Sequence, residues 1–399
     1  RKLWIRTSRV SSWSRGHSFD FAVRATIGLT IIIIAQAFFS FTIILSQIDF
    51  HRRSQMRYDG SSPRTANSPD IICSSRQQQQ QQPVWRDEID RYFSEAAGGR
   101  PSFAVVLTLN NGFWDFFVNW RYHYHFYARA ESKTDRPLLI LIAEDSAVYE
   151  KLKALPRSEE DAIVVLPGRN FVVDSASKMG EDYDSKAYKK MVSSRATYLL
   201  NLMCSLEEGE TNDAGNEVAE GENLVVVYSD VDTVWLKDPF KYIQTELFGS
   251  KNNGDNQTKQ HPNYDILAAI DDHDYNNVAD YYCTGYLAIA QTPASFAFLS
   301  QWEKGLQSNP QLNQPLFNSL LRSKEIPDIR HGGLGENEFP SGKLYFDEWE
   351  KVGGASKKLV KKKTIVVHNN YIIGHDAKKR KISGAWYVDE KTTQMRDEL

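Results

Sequence analysis

Cysteine is scarce in this sequence of 399 residues: Cys73, Cys204 and Cys283 are the only three, and none has the paired spacing of a structural zinc site. A small disulfide scaffold is thereby excluded. Cys204 and Cys283 remain either a candidate bridge or two buried free thiols, and Cys73 is a candidate crosslink between two chains. Charge of one sign is also lacking, since the net charge is −3. No nucleic acid or other polyanionic partner is implied, and the basic run from Lys357 to Lys363 reads as a solvated loop.

One long uncharged apolar run stands out, from Ile27 to Ile48. Its length suits a single membrane-crossing helix. Arg1, Lys2, Arg6, Arg9, Arg15 and Arg24 precede it, against Arg52, Arg53 and Arg57 after it, so the positive-inside rule puts the N-terminus in the cytosol and the rest in the lumen. The expected layout is a cytosolic tail (1–26), a transmembrane signal-anchor (27–48), a flexible stem (49–100), a lumenal domain (101–392) and a C-terminal tail (393–399). The stem is polar and carries a glutamine run from Gln77 to Gln82, a composition that buries too little apolar surface to offset ordering. Lumenal topology gives meaning to the glycosylation acceptor at Asn256. It also exposes the terminal Arg396-Asp397-Glu398-Leu399, similar to an endoplasmic-reticulum retrieval signal. Residence is expected in the Golgi membrane, with dimerisation through the stem or the span.

Within the lumenal part, short apolar runs at 103–109, 138–143 and 163–166 alternate with helical stretches such as 113–126. That alternation predicts an α/β domain with a mostly parallel sheet covered on both faces. Residues 186–206 show the three-and-four spacing of one amphipathic helix, and Arg195 falls on its apolar stripe. An inward arginine either pairs with a core carboxylate or reaches an anionic ligand.

The sharpest motif is Ser229-Asp230-Val231-Asp232, directly after the apolar strand Leu224-Val-Val-Val-Tyr228. Ligands of open α/β sheets bind at the carboxyl ends of strands. In extended geometry Asp230 and Asp232 project to one side and can share a divalent ion, Mn²⁺ or Mg²⁺, that neutralises a departing diphosphate.

Continued by Thr233-Val-Trp-Leu-Lys-Asp-Pro239, this motif resembles the nucleotide-diphospho-sugar transferase domain of glycosyltransferase family 77, found in plant and algal cell-wall enzymes. The similarity extends in order over Val105 to Trp120, Leu138 to Leu152, Ser194-Arg195, Thr284-Gly285-Tyr286, Asn313 to Asn318 and the closing block from His368 to Gly374 with Lys378. It implies a GT-A, Rossmann-like fold and metal-dependent transfer, with retention, of a pentose or galactose from a UDP-sugar to a glycan or glycoprotein. It further implies Asp230, Asp232 and His368 as metal ligands, and Thr108, Asn110, Asn111, Arg195, Ser229, Asp230, Gly374 and Lys378 on the nucleotide-sugar. Asp271, Asp272, Cys283, Thr284, Gly285, Asn313 and Gln314 fall on the sugar and acceptor side. Gln314 joins Asp230 and Asp232 as a catalytic candidate, but no nucleophile is assigned, because a front-face mechanism needs none.

Two positions depart from the family pattern: Cys283 stands where Asn is usual, and Asn313 where Asp is usual. They leave open a lumenal binding protein without turnover, and a second rival is a metal-dependent nucleotide-sugar hydrolase that would use the same Asp-Asp-His set without an acceptor cleft.

Overall fold

Runs of near-continuous apolar residues build the centre of the domain, because a strand covered on both faces has no side to give to water. The computed structural model describes residues 69–77, 83–95, 101–127, 137–155, 162–172, 186–207, 224–249, 262–271, 281–309, 313–348 apart from 324, 362–370, 374–382 and 386. The expected tail, membrane span, early stem, Asn256, Asp272 and C-terminal tail lie outside them. Among the described residues no helix is long and apolar enough to cross a membrane.

Strands β1 (Phe103–Leu109), β2 (Leu138–Asp145), β3 (Ile163–Val172), β4 (Val225–Ser229), β6 (Ile266–Ile270), β7 (Tyr282–Ala290) and β8 (His331–Leu334) form one sheet in the order β3-β2-β1-β4-β7-β6-β8. Only β7 runs against the others. Alternate side chains of β1 serve opposite faces: Val105 and Leu107 on one, Ala104 and Val106 on the other. The first face is covered by α3 (Trp114–Tyr127), α4 (Ser146–Lys153) and α7 (Phe240–Phe248), through Phe117, Trp120, Leu152 and Ile243. The second is covered by α6 (Arg195–Glu207), α8 (Pro293–Ser308) and α9 (Asn313–Arg322), through Leu199, Met203, Trp302 and Phe317. Ile140, Leu141 and Ile142 are fully buried, each worth about 1.5–3 kcal/mol. A separate ribbon pairs β5 (Thr233–Trp235) with β9 (Val366–His368).

Three expectations are corrected. First, part of the supposed stem belongs to the domain: α1 (Pro69–Gln77) and α2 (Pro83–Glu95) bury Ile72, Trp85 and Ile89 against the second face, and Trp85 Nε1 donates to the Pro167 carbonyl at 3.0 Å. Averaging a polar segment hid this apolar stripe. Second, the disulfide joins Cys73 in α1 to Cys204 in α6, while Cys283 is a buried free thiol. The Cys204–Cys283 pairing and the interchain role of Cys73 are both replaced. Third, the single helix expected over 186–206 is two, α5 (Lys186–Ser193) and α6, divided at Ser194. Ser194 N–H and hydroxyl turn back to Met191 and Lys190 carbonyls at 3.1 Å, so Arg195 begins a new helix.

At the end of β2, Glu144 is 7% exposed, and burial pushes its carboxyl up to about 7 against the hydrogen bond from Tyr198. A carboxyl whose folded pKa is raised contributes stability that is present below its unfolded value and is lost as pH rises through the folded one. Glu144→Gln is therefore expected to gain about 3 kcal/mol relative to wild type between pH 5 and pH 8, read from denaturant midpoints at both pH values. An equal gain at pH 5 would contradict this.

Candidate active site

Beyond Ser229 the chain leaves the sheet. Thr233 returns its backbone N–H (3.2 Å) and hydroxyl (3.0 Å) to the carbonyl of Asp230. Asp230-Val231-Asp232 is thus a turn rather than the extended strand end expected, since Thr233 supplies both turn-closing donors. Asp230 N–H donates to the Gly285 carbonyl on β7 at 2.8 Å, and the β5–β9 register sets His368 opposite Thr233. These pairings bring one ligand atom each of Asp230, Asp232 and His368 within 4.8 Å of one another.

His368 Nε2 lies 3.5 Å from Asp230 Oδ2 and 3.4 Å from Asp232 Oδ1. The absent side chain of Gly285 leaves room for this convergence: a Cβ there would meet His368 Cε1 at 2.1 Å and Asp230 Oδ2 at 2.3 Å. Burial by itself would lower the His368 pKa, but Cys283, Asp230 and Asp232 together raise it well above the ordinary value. Burial would likewise raise Asp232, yet the Lys378 ammonium and His368 hold it well below the usual carboxylate range. The cage therefore stabilises positive charge at its centre. Two carboxylate oxygens and one imidazole nitrogen fit a divalent cation and leave coordination positions for diphosphate oxygens.

Asp230 is held from behind. Its Oδ1 accepts from Arg195 Nη2 at 2.7 Å and from the Tyr228 hydroxyl at 3.1 Å, leaving Oδ2 facing the cage. Of the two readings for Arg195, the structure shows pairing with a carboxylate, and that carboxylate belongs to the cage. Nη1 also donates to Thr284 Oγ1 at 2.8 Å, and the guanidinium lies over the Tyr228 ring, 4.3 Å from its centroid. Thr108 joins this group through a 2.7 Å bond between its hydroxyl and that of Tyr228.

Lys378, on α10 (His375–Lys381), places Nζ against Asp232 Oδ2 and 2.9 Å from the Asn369 carbonyl. Gly374 starts this helix at φ 93°, a conformation that favours glycine.

The residues expected on the sugar side form one network. Asp271 accepts from Gln314 Nε2 at 2.6 Å and from Asn370 Nδ2 at 2.8 Å. Asn313 Nδ2 donates to Thr284 Oγ1 at 3.2 Å, a bond that an ionised aspartate could not donate.

Elsewhere the nucleotide-side expectations are displaced. Ser229 is fully buried, with its hydroxyl between Trp120 Nε1 (3.2 Å) and Thr233 Oγ1 (2.8 Å), so it ties the strand end to α3 rather than facing ligand. Asn110 is buried with its side-chain oxygen unpartnered, and Asn111 joins a neighbouring group with Asp145 and Lys151 at 2.7 Å each. Tyr228, Asn370 and Asp145, which bond to expected site residues, were not themselves anticipated. Asn370 had a signal, being next to Asn369 in the closing block, whereas Tyr228 read only as an apolar strand residue.

Residues 222–382 match the family described as nucleotide-diphospho-sugar transferase. The chain is similar to the UDP-D-xylose:L-fucose alpha-1,3-D-xylosyltransferase of Arabidopsis thaliana, 26% identical over 296 residues, covering 72% of this chain and 70% of the relative. It is also similar to the UDP-galactose:fucoside alpha-3-galactosyltransferase of Dictyostelium discoideum, 26% identical over 188 residues, or 41% of this chain and 26% of that one. Among solved structures, the galactosyltransferase LgtC with donor and acceptor sugar analogues aligns with TM-score 0.41 and 13% identity, over 71% of this chain and 95% of that one.

Proposed function

Because residues 222–382 match the family described as nucleotide-diphospho-sugar transferase, we propose that the chain transfers a sugar from a UDP-sugar to a glycan, with Mn²⁺ or Mg²⁺ in the Asp230, Asp232 and His368 cage. The observation that carries this reading is the convergence of those three ligand atoms within 4.8 Å at the carboxyl end of β4. The relatives are named for UDP-xylose and UDP-galactose as donors and for fucose or a fucoside as acceptor. A pentose or galactose donor and a fucose-bearing acceptor are therefore the first to be tried. Both names specify an alpha linkage, which is retention when the donor sugar is itself alpha-linked to its diphosphate.

A divalent ion in the cage would offset the negative charge that develops on the leaving diphosphate. Asp230, Asp232 and His368 would hold that ion, with Arg195 and Tyr228 fixing the Asp230 carboxylate from behind. Lys378 lies at the rim, where its ammonium can move from Asp232 to a phosphate oxygen. Asp271, Gln314 and Asn370 orient donor hydroxyls, and no side chain is required to attack the sugar in a front-face transfer.

The Cys73–Cys204 bridge suits an oxidising compartment and supports, with the run from Ile27 to Ile48, a single-pass Golgi protein with this domain in the lumen.

A panel of UDP-sugars with Mn²⁺ and a fucoside, read by mass spectrometry, tests the proposal. A new glycosidic product from UDP-xylose or UDP-galactose is expected. UDP binding without product would favour a binding protein, and free sugar alone would favour a hydrolase.

A further inference from the structure

Cys283 is the feature that the proposed function leaves unused. It lies on β7 two residues before Gly285, and its sulfur, like the Cβ direction of Gly285, points to His368. Its Sγ is 5% exposed by residue and meets three nitrogen atoms: His368 Nδ1 at 3.5 Å, the Gly285 backbone nitrogen at 3.5 Å and Asn370 Nδ2 at 3.6 Å.

The last two are N–H donors by their chemistry. The role of the first follows from the other end of the ring. Nε2 faces the carboxylates of Asp230 and Asp232, so ligation of an ion there uses the Nε2 lone pair and leaves the ring proton on Nδ1. All three nitrogens then donate to one sulfur. A ligating histidine ordinarily gives its second N–H to a carboxylate, a carbonyl or water, which fixes the tautomer and the ring plane; here a thiol stands in that place.

We propose that Cys283 is a positioning residue: its sulfur accepts the Nδ1 proton of His368 and so presents Nε2 to the cation, a role that rests on the metal-site reading above. The same sulfur holds Asn370, whose Nδ2 also reaches Asp271 at 2.8 Å. One atom therefore connects the metal ligand to the sugar-side network. The departure from the usual Asn at this position acquires a physical purpose, since sulfur is large enough to span three donors at these distances.

The test uses the full chain and Mn²⁺ alone as probe, with electron paramagnetic resonance reading both the free-ion signal and the nitrogen modulation that an imidazole ligand imposes on bound Mn²⁺. Cys283→Ala is expected to weaken Mn²⁺ binding about 10- to 100-fold and to reduce the nitrogen modulation. Cys283→Ser keeps an acceptor a few tenths of an ångström away and is expected to recover most of the affinity. If the alanine variant does not fold, Cys283→Val fills the volume without an acceptor and gives the same comparison. Wild-type affinity and modulation in a folded Ala or Val variant would overturn the positioning role while leaving the metal site intact. Failure of folded wild type to bind Mn²⁺ with or without UDP would overturn the metal-site reading itself, and this role with it.

Discussion

Gly285→Ala is expected to reduce the proposed metal-dependent sugar transfer about 10³-fold, nearly as far as removing one of the proposed ligands, because two of them must move at once. The new methyl would sit 2.1 Å from His368 Cε1 and 2.3 Å from Asp230 Oδ2, and ordinary contact requires each neighbour to retreat by more than 1 Å. Neither has free space to do so. Asp230 is fixed by Arg195 and Tyr228, and His368 is backed by Cys283. The sheet should survive, since β7 is buried along its whole length and Gly285 makes its backbone bond to Asp230 with or without a side chain. Steady-state kinetics with saturating Mn²⁺ and a thermal melt check this together. Activity within tenfold of wild type would show that the cage tolerates the displacement and that its geometry is misread.

Asp232→Ala should be at least as damaging, with a loss of about 10³-fold or more, corresponding to roughly 4 kcal/mol of transition-state stabilisation. The substitution removes one of the three proposed ligands and also the partner of Lys378 and His368. Asp232→Asn preserves the shape without the charge and is expected to fail in the same way, which separates the loss of a ligand from the loss of packing. Folding should change little, because the apolar cores on the two sheet faces do not include this side chain.

How much of this arrangement a reader of the sequence could foresee depends on whether the determining contact is local. The apolar runs of β1, β2 and β4 announce buried parallel strands, because two-sided burial removes polar alternation from the strand itself. That Asp230, Asp232 and His368 belong together was legible, the carboxylates from their motif and His368 from the family resemblance, although the turn that joins the carboxylates was not: its closure depends on the bonds of Thr233 to the Asp230 carbonyl. Long-range pairings were least visible. The Cys73–Cys204 bridge spans 131 positions, and it was not foreseen: with Cys73 placed in a stem, only Cys283 was weighed as a partner for Cys204. Average polarity concealed α1 and α2 because their few apolar residues matter only once Ile72, Trp85 and Ile89 meet the second face of the sheet. Similarly, Arg195 on an apolar stripe required a partner, but the identity of that partner depended on β4 ending beside α6.

The most direct measurement of the central claim is transfer from UDP-xylose or UDP-galactose to a fucoside after exhaustive chelation, followed by stepwise return of Mn²⁺, in wild type and Asp232→Ala side by side. The proposed cage predicts no product in the chelated wild type, recovery as Mn²⁺ returns, and no recovery in Asp232→Ala at any Mn²⁺ concentration. Full activity in chelated wild type, or recovery of Asp232→Ala to wild-type rates, would contradict it.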